Sequence, residues 1–338
     1  MNKIRVLISD SFDPCFNLAT ENYIFRDMDP TTRILFLWRN EDTVVIGRFQ
    51  NPWTECQVQK MEEDGIHLAR RQSGGGAVFH DLGNTNFTFL NGKSSHSKDD
   101  NSKIICNALL NLDIKAQTSG RNDMIVKSED GEKKISGSAF KETKDRAFHH
   151  GTMLINANMA KLENYLTPNK NKLISKGIKS VRARVSNITE FNPEITHESF
   201  CEEMIKAFFE FYNQKCDIEH LKTQDLKKIE KLNSYYEELK DWKWRFGETP
   251  KFNYQMDTRF DWGGIEIHID SHKGFIKKCQ IYSDSLHPEM VEEIMSALVG
   301  IEYSAYSINA AMDEVKNELP MIADYIDDFS RWFISQIN

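Results

Sequence analysis

The sequence predicts an α+β protein of two units. Mixed and antiparallel sheets flanked by helices are expected over residues 1–245, and a small accessory α+β unit over 246–338. Three observations carry this. Short β-rich runs alternate with amphipathic stretches of helical period through the first two-thirds of the chain. Composition shifts between Trp242 and Pro250, where tryptophans, Gly247 and Pro250 interrupt a charged helical pattern. Beyond that break, Ile265-Glu266-Ile267-His268-Ile269 alternates strictly between apolar and polar residues.

Taken in order, Val6 to Ile8 is a short strand. Asp13 caps a helix with Pro14 at its first position, running to about Met28 with Leu18, Ala19 and Tyr23 as its apolar stripe. Ile34–Trp38 and Thr43–Ile46 are β-rich runs around Arg39 to Asp42, which reads as a hairpin-type connection. Gln57 to Asp64 reads as a helix ended by Gly65. Ile66–Ala69, Ala77–His80 and Thr85–Leu90 are further strands. Lys98–Leu112 is an amphipathic helix through Ile104, Ile105, Ala108 and Leu109. Met124–Val126, Lys134–Phe140 and Phe148–Ile155 form a strand-rich block, with Glu129 to Glu132 as a hairpin loop. Phe200, Met204, Phe208 and Phe211 space as one helix face, and a charged, mostly helical stretch follows to Lys240. In the C-terminal unit, Phe275–Tyr282 is expected to pair with Ile265–Ile269 across Ser271–Gly274, with helices from Pro288, Ile308 and Leu319.

With 338 residues and a formal net charge of -8, bulk electrostatics argue against non-specific nucleic-acid binding. No window approaches 18 uncharged apolar residues, so no membrane span is expected. The N-terminus lacks the apolar core of a signal peptide. Six cysteines are scattered without a C-x-x-C pair, as in a reduced compartment, and the cytoplasm is the expected location.

The chemistry centres on Arg70 to Asn84, R-R-Q-S-G-G-G-A-V-F-H-D-L-G-N. Three consecutive glycines are costly to order, so they persist mainly where a ligand or another backbone must come close. The paired arginines suit phosphate or carboxylate. A strand, a glycine turn and a strand thus suggest an anion site; the alternative is a mobile basic hairpin. A dinucleotide fingerprint would need a small residue at Phe79, and a Walker loop ending in Gly92-Lys93-Ser94 would need glycine at Phe87.

Three further clusters stand out. Gly120-Arg121-Asn122-Asp123 could place an amide and a carboxylate near Mg²⁺ or a ribose, or be an ordinary turn. In Lys133-Lys134-Ile135-Ser136-Gly137-Ser138, strict strand alternation groups Lys134 with Ser136 and Ser138, and Lys133 with Ile135 and Gly137. The small polar face favours Lys134; the alternative is a solvated edge lysine. Lys170 to Arg184 holds six basic residues and no acidic one, which suits a lid over an anionic intermediate or a solvated loop. His149 and His150 are adjacent, so on a strand they face opposite ways and cannot chelate together.

These motifs, with K-I-S-G-S-A at 134–139, H-H-G-T at 149–152, I-S-D-S-F-D-P-C-F-N-L-A near the N-terminus and W-R-N-E-D-T-V-V-I-G-R-F-Q-N-P-W from Trp38, resemble bacterial lipoate–protein ligases of the two-domain type. The match runs in order over the first two-thirds of the chain. The resemblance implies a biotin/lipoate ligase-type catalytic domain and a two-step reaction. Lipoate and MgATP would give lipoyl-adenylate and pyrophosphate. The acyl group would then pass to a lysine of a lipoyl domain of a 2-oxoacid dehydrogenase complex, or of the glycine-cleavage carrier protein. It places the nucleotide at Arg71, Gly76, Ala77, Val78, Phe79 and Lys134. Lys134 is the catalytic residue and, with Gly75, also contacts lipoate. Arg70, Asn84, Asn122 and Asp123 fall near phosphate, ribose or metal, with Asp123 as the Mg²⁺ ligand. ATP, Mg²⁺ and lipoate are then the small molecules required, with no tightly bound prosthetic group, no nucleic acid, no membrane and a monomeric enzyme. The lipoyl tail should want an apolar slot whose lining the sequence does not reveal. An octanoyltransferase working through a cysteine is the enzymatic rival, although no cysteine lies between Cys106 and Cys201. A biotin ligase is disfavoured by the glycine loop, and a non-catalytic lipoate-binding module is the remaining alternative.

Overall fold

The computed structural model describes residues 3–120, 122–129, 131–167, 185–246, 254–272 and 274–336. The basic segment Lys170–Arg184 lies outside them. The chain divides into two compact units. The first comprises Met1–Ile46, Pro52–Gln72 and Ala77–Arg245; the second comprises Gly47–Asn51, Ser73–Gly76 and Phe246–Asn338. Two short segments from the N-terminal third of the sequence therefore cluster with C-terminal residues.

The first unit contains β1 (Ile4–Ser9), α1 (Pro14–Asp27), β2 (Arg33–Trp38), β3 (Thr43–Ile46), α2 (Pro52–Glu55), α3 (Val58–Glu63), β4 (His67–Arg70), β5 (Val78–His80), β6 (Asn84–Gly92) and α4 (Lys98–Asn111). It continues with β7 (Ala116–Ser119), β8 (Asp123–Ser128), β9 (Gly131–Glu142), β10 (Arg146–Leu154), α5 (Met159–Tyr165), α6 (His197–Tyr212), β11 (Ile218–Leu221), α7 (Glu230–Lys240) and α8 (Trp242–Phe246). An eight-stranded mixed sheet runs in the order β11-β1-β2-β6-β10-β9-β8-β7, and a three-stranded sheet in the order β4-β3-β5.

Local chemistry explains the elements. The Asp13 carboxylate accepts from the backbone N–H groups of Cys15 and Phe16, and Pro14 starts α1. One face of the large sheet meets α4 and α6: Phe87 and Phe89 pack with Ile104, Ile105, Ala108, Leu109, Phe200, Met204 and Phe208. The opposite face gathers Phe36, Trp38, Leu90 and Phe148 with Phe16, Leu18 and Ala19 of α1, Leu232 and Leu239 of α7, and Val45 and Ala69 of the small sheet. Val78 of β5 packs against that second cluster too.

The expected hairpin between β2 and β3 does not form. β2 sits between β1 and β6, whereas β3 sits between β4 and β5. The cause is Asn17 of α1, whose amide nitrogen donates to the Arg39 carbonyl at 3.0 Å and to Asn40 Oδ1 at 2.9 Å. That anchor carries the connection across to the second sheet. β4 and β5 flank β3 and do not pair with each other, so the glycine run is not a simple hairpin turn. The polar strands β7 and β11 lack the alternation that would have revealed them. All six cysteines are free thiols. Among the described residues, no helix is long and apolar enough to cross a membrane.

The second unit has an antiparallel sheet of β12 (Tyr254–Phe260), β13 (Gly263–His272) and β14 (Phe275–Ser283), with α9 (Pro288–Leu298), α10 (Ala305–Glu318) and α11 (Ala323–Ser335). Ile265, Ile267 and Ile269 are buried against Met290, Ile294, Ile308, Met312, Phe329 and Phe333, with Phe49 joining them. The last two helices begin within four residues of the positions expected, after the Ser304 cap and after a single 3₁₀ turn at Pro320–Ile322. Within this unit the glycine run closes on backbone. Gly75 N–H donates to the Ser285 carbonyl at 2.8 Å, and a Cβ on Gly74 would lie 2.0 Å from that oxygen. Gly75 also has φ +89°, a left-handed conformation suited to glycine. Of the two reasons for such a run, close approach of another backbone holds for Gly74 and Gly75.

Candidate active site

Face by face, the large sheet brings one row of side chains together in the first unit. Trp38 on β2 pairs with Asn86 on β6, and Asn86 with Thr152 on β10. Gly137 N–H on β9 donates to Thr152 Oγ1 at 3.3 Å, and Gly137 pairs with Asp123 on β8. Lys134 reaches back over Gly137, and its Nζ lies 2.7 Å from Asp123 Oδ1. A Cβ on Gly137 would stand only 2.8 Å from that nitrogen, so glycine leaves the room the ammonium occupies.

Strict alternation along β9 fails at a β-bulge. The register shifts between Met124, paired with Ser136, and Ile125, paired with Lys134, leaving Ile135 extra. Ile135 is buried in the core on the α4/α6 side, and Ser136 lies opposite Met124, which belongs to the same core. Lys134 therefore shares its face with Gly137 and Asp123, not with Ser136 and Ser138. Lys133 pairs with Val126, a member of the opposite core. The bulge thus aims Lys134 at the row described above. The Lys134 carbonyl also accepts from Ser186 N–H at 2.9 Å.

The next row is Phe36, Thr88, His150 and Ala139. Glu21 of α1, 2 % exposed, accepts from Thr88 Oγ1 at 2.7 Å and lies 2.8 Å from His150 Nδ1. Trp38 Nε1–H donates to Thr88 Oγ1 at 3.1 Å. His149, by contrast, stacks on Phe140 with centroids 4.5 Å apart and packs against Phe87 and Phe89 on the helix-covered face. The two histidines do face opposite ways.

Arg71 is buried in this unit and donates to the Val45 carbonyl at 3.1 Å. Burial lowers its pKa to about 10, with Glu21 opposing the shift. It remains a cation at neutral pH. His80 is held at about 3 by burial, then by Arg71 and by His150, and is neutral. Among the described residues, the buried atoms His80 Nε2, Asn84 Oδ1 and Asn86 Nδ2 have no hydrogen-bond partner. Buried polar atoms of this kind are normally satisfied, and a bound molecule is one means of doing so.

The other residues singled out by sequence divide clearly. Arg70 is a structural clamp: its guanidinium donates to the Trp244 and Arg245 carbonyls at 2.8 Å, and Trp244 Nε1–H returns a bond to the Arg70 carbonyl. Asn122 Nδ2–H donates to the Ser138 carbonyl at 2.7 Å, tying the start of β8 to β9. The Phe79 ring packs against Tyr165 at 5.8 Å, so only its backbone is available to a ligand on the His80 side. Gly75 and Gly76 belong to the second unit, and Ala77 opens the return of the chain to the first. As a magnesium ligand, Asp123 offers one carboxylate, already ion-paired with Lys134. Among the described residues no group of three or more His, Cys, Asp or Glu could hold a metal ion. One carboxylate fits Mg²⁺ only when phosphates supply the other oxygens.

Glu21, Trp38, Thr88 and His150 were missed by sequence reasoning. A signal existed for Glu21: it stands with Leu18 and Phe25 at helical spacing, all three buried, making it an acid on an apolar stripe.

The family described as the lipoyl protein ligase A/B catalytic domain matches residues 13–209, and the bacterial lipoate protein ligase C-terminus matches residues 249–333. A protein named lipoate-protein ligase A from Psychrobacter cryohalolentis is 51% identical over 99% of both chains. Among solved structures, P. falciparum LipL1 in complex with lipoate superposes with a TM-score of 0.87 at 36% identity, covering 98% of this chain and 100% of that one. A bipartite lipoate protein ligase from Thermoplasma acidophilum, analysed with its E2 lipoyl domain, gives 0.63 at 27% identity over 75% of this chain and 100% of that one. A lipoate-protein ligase A bound with ATP gives 0.61 at 26% identity over 72% and 99%. The chain belongs to the lipoate–protein ligase family.

Proposed function

We propose that this ligase joins free lipoate to ATP, giving lipoyl-adenylate and pyrophosphate, and then transfers the lipoyl group to a lysine of an apo lipoyl domain. The observation that carries the reading is the row from Lys134 to Trp38. Its Lys134 end holds a cation on a short leash to Asp123. Its other end is aromatic and buried, with Thr88 and His150 each bonded to Glu21 Oε1. Three strand spacings separate Gly137 from Trp38, roughly 14 Å at about 4.8 Å each. That is the scale of an extended lipoyl chain, with its carboxylate at Lys134 and its ring toward Trp38.

Chemically, bringing a carboxylate to an α-phosphate opposes two anions. At 4 Å and an effective dielectric near 20, each unit-charge pair repels by about 4 kcal/mol. The Lys134 ammonium meets both anions, and Asp123 holds it in place beforehand, so little reorganisation is needed at reaction. Arg71 is a second cation for the nucleotide, together with backbone from Ala77 to Phe79 and the Asn84 amide oxygen, which has no partner among the described residues. Mg²⁺ would enter on the phosphates with Asp123 as its protein carboxylate, supplying further charge neutralisation. ATP activates the acid, so no side-chain nucleophile is required. Burial raises the pKa of all six cysteines, which disfavours a thiol-dependent acyltransferase.

The acceptors proposed are lipoyl domains of 2-oxoacid dehydrogenase complexes and the glycine-cleavage carrier protein, with a monomeric enzyme in the cytoplasm. The E2 lipoyl domain studied with the Thermoplasma relative supports the first of these. Pyrophosphate release should require both lipoate and MgATP. Release that ignores lipoate, or none with both substrates present, would reject the reading.

A further inference from the structure

His80 carries a hydrogen-bond donor whose direction and protonation are fixed by a buried relay. The carbonyls of Ser11 and Arg39 accept from Asn17 Nδ2 at 2.9 and 3.0 Å, which fixes the Asn17 amide nitrogen. Ser9 Oγ–H donates to Asn17 Oδ1 from the other side at 2.5 Å. Asn40 Oδ1 lies 2.9 Å from the same Asn17 nitrogen and shares its two hydrogens with those carbonyls, which leaves Asn40's own nitrogen facing His80. Asn40 Nδ2–H then donates to His80 Nδ1 at 3.1 Å. With Nδ1 accepting, the neutral ring carries its proton on Nε2. Asn17 and Asn40 are fully buried, His80 is 3 % exposed, and its Nε2 has no partner among the described residues.

The His80 ring lies edge-on to Trp38 with centroids 6.1 Å apart, at the end of the row remote from Lys134. Resting on the assignment of that row as the acyl slot, we propose that His80 Nε2–H determines substrate specificity by donating to the dithiolane sulfurs of lipoate. A straight alkyl acid of the same length, such as octanoate, ends in a methyl group with no lone pair. It would leave the N–H buried and unpaired, and a buried donor without a partner is penalised. Sulfur is a weak acceptor, so the resulting preference is modest.

The test compares kcat/KM for lipoate and octanoate by pyrophosphate release in wild type, His80→Gln and His80→Leu. Glutamine places an amide N–H near the position of Nε2–H; leucine fills the space without a donor. The lipoate-to-octanoate ratio should fall about tenfold in His80→Leu, through the KM for lipoate, and be largely retained in His80→Gln. An equal change for both acids in His80→Leu would overturn the proposal. ¹⁵N NMR of the wild-type chain gives a readout independent of variant folding. The ring proton should sit on Nε2, and its resonance should move with lipoate but not with octanoate. A proton on Nδ1, or identical responses to both acids, would also overturn it. Failure of the function itself would look different, since wild type would then activate neither acid.

Discussion

Alanine at Gly137 is the smallest change that reaches the proposed catalytic cation without touching it directly. The added methyl carbon would lie 2.8 Å from Lys134 Nζ and 3.1 Å from Cε, where ordinary contact begins near 3.4 Å. The ammonium must therefore retreat by about 0.6 Å or more, and its 2.7 Å bond to Asp123 lengthens beyond the charge-assisted range. A misplacement of about 1 Å in a catalytic group costs on the order of a hundredfold. Lipoyl-adenylate formation should thus slow by about 10- to 100-fold, close to 1.4–2.7 kcal/mol of barrier. Folding should barely change. The displaced atom is the end of a flexible side chain, and alanine in a strand lowers the entropy of the unfolded chain relative to glycine by about 0.5–1 kcal/mol. Pyrophosphate release with saturating ATP and lipoate measures the first effect, and urea unfolding the second. Wild-type turnover in Gly137→Ala would refute the placement of Lys134 over Gly137.

Three further outcomes follow from the same geometry. Lys134→Ala should lower pyrophosphate release by at least about a hundredfold, as loss of a preorganised donor does, while Lys133→Ala stays within about threefold; equal losses would contradict the bulge. Arg70→Ala should cost about 2–4 kcal/mol of stability by urea unfolding, since the clamp on Trp244 and Arg245 is lost, yet leave KM for ATP within about twofold. A large rise in that KM would return Arg70 to the nucleotide site. Stability should also fall as pH drops below 6.5. His80 is held at about 3 when folded, so between 3 and 6.5 the unfolded chain binds the extra proton. One such group removes about 1.4 kcal/mol per pH unit, roughly 2 kcal/mol at pH 5, and His197, lowered to about 4 chiefly by burial, acts in the same direction. Unfolding free energies that are flat between pH 7 and pH 5 would contradict this.

What the sequence revealed, and what it hid, has physical causes. The α1 cap was legible because Asp-Pro at a helix start is a local signal, and Ile265–Ile269 because alternation reports burial of one strand face. The crossing from β2 to β3 was hidden because it depends on Asn17 bonding across the fold, with no local signature. Lys134 was chosen over Lys133 from a small polar face that proved to be the wrong one. The bulge at Ile135 reverses the alternation beyond Lys134, and only cross-strand register exposes it. Arg70 and Arg71 look equivalent as neighbours, yet one clamps α8 and the other is buried beside Glu21. The glycine run signalled close approach correctly, but could not say that a backbone carbonyl at Ser285 is what approaches Gly74 and Gly75. Glu21, Trp38 and His150 come from three distant segments, which the large sheet and α1 bring to one face.

The central claim is ATP-driven lipoylation through Lys134, and intact-mass spectrometry of an apo lipoyl domain tests it most directly. With the purified chain, lipoate and MgATP, the acceptor should gain the mass of one lipoyl group on its target lysine. The gain should vanish without ATP and fall by at least about a hundredfold in rate with Lys134→Ala. Acceptor modification that proceeds without ATP, or survives that substitution unchanged, would contradict the account.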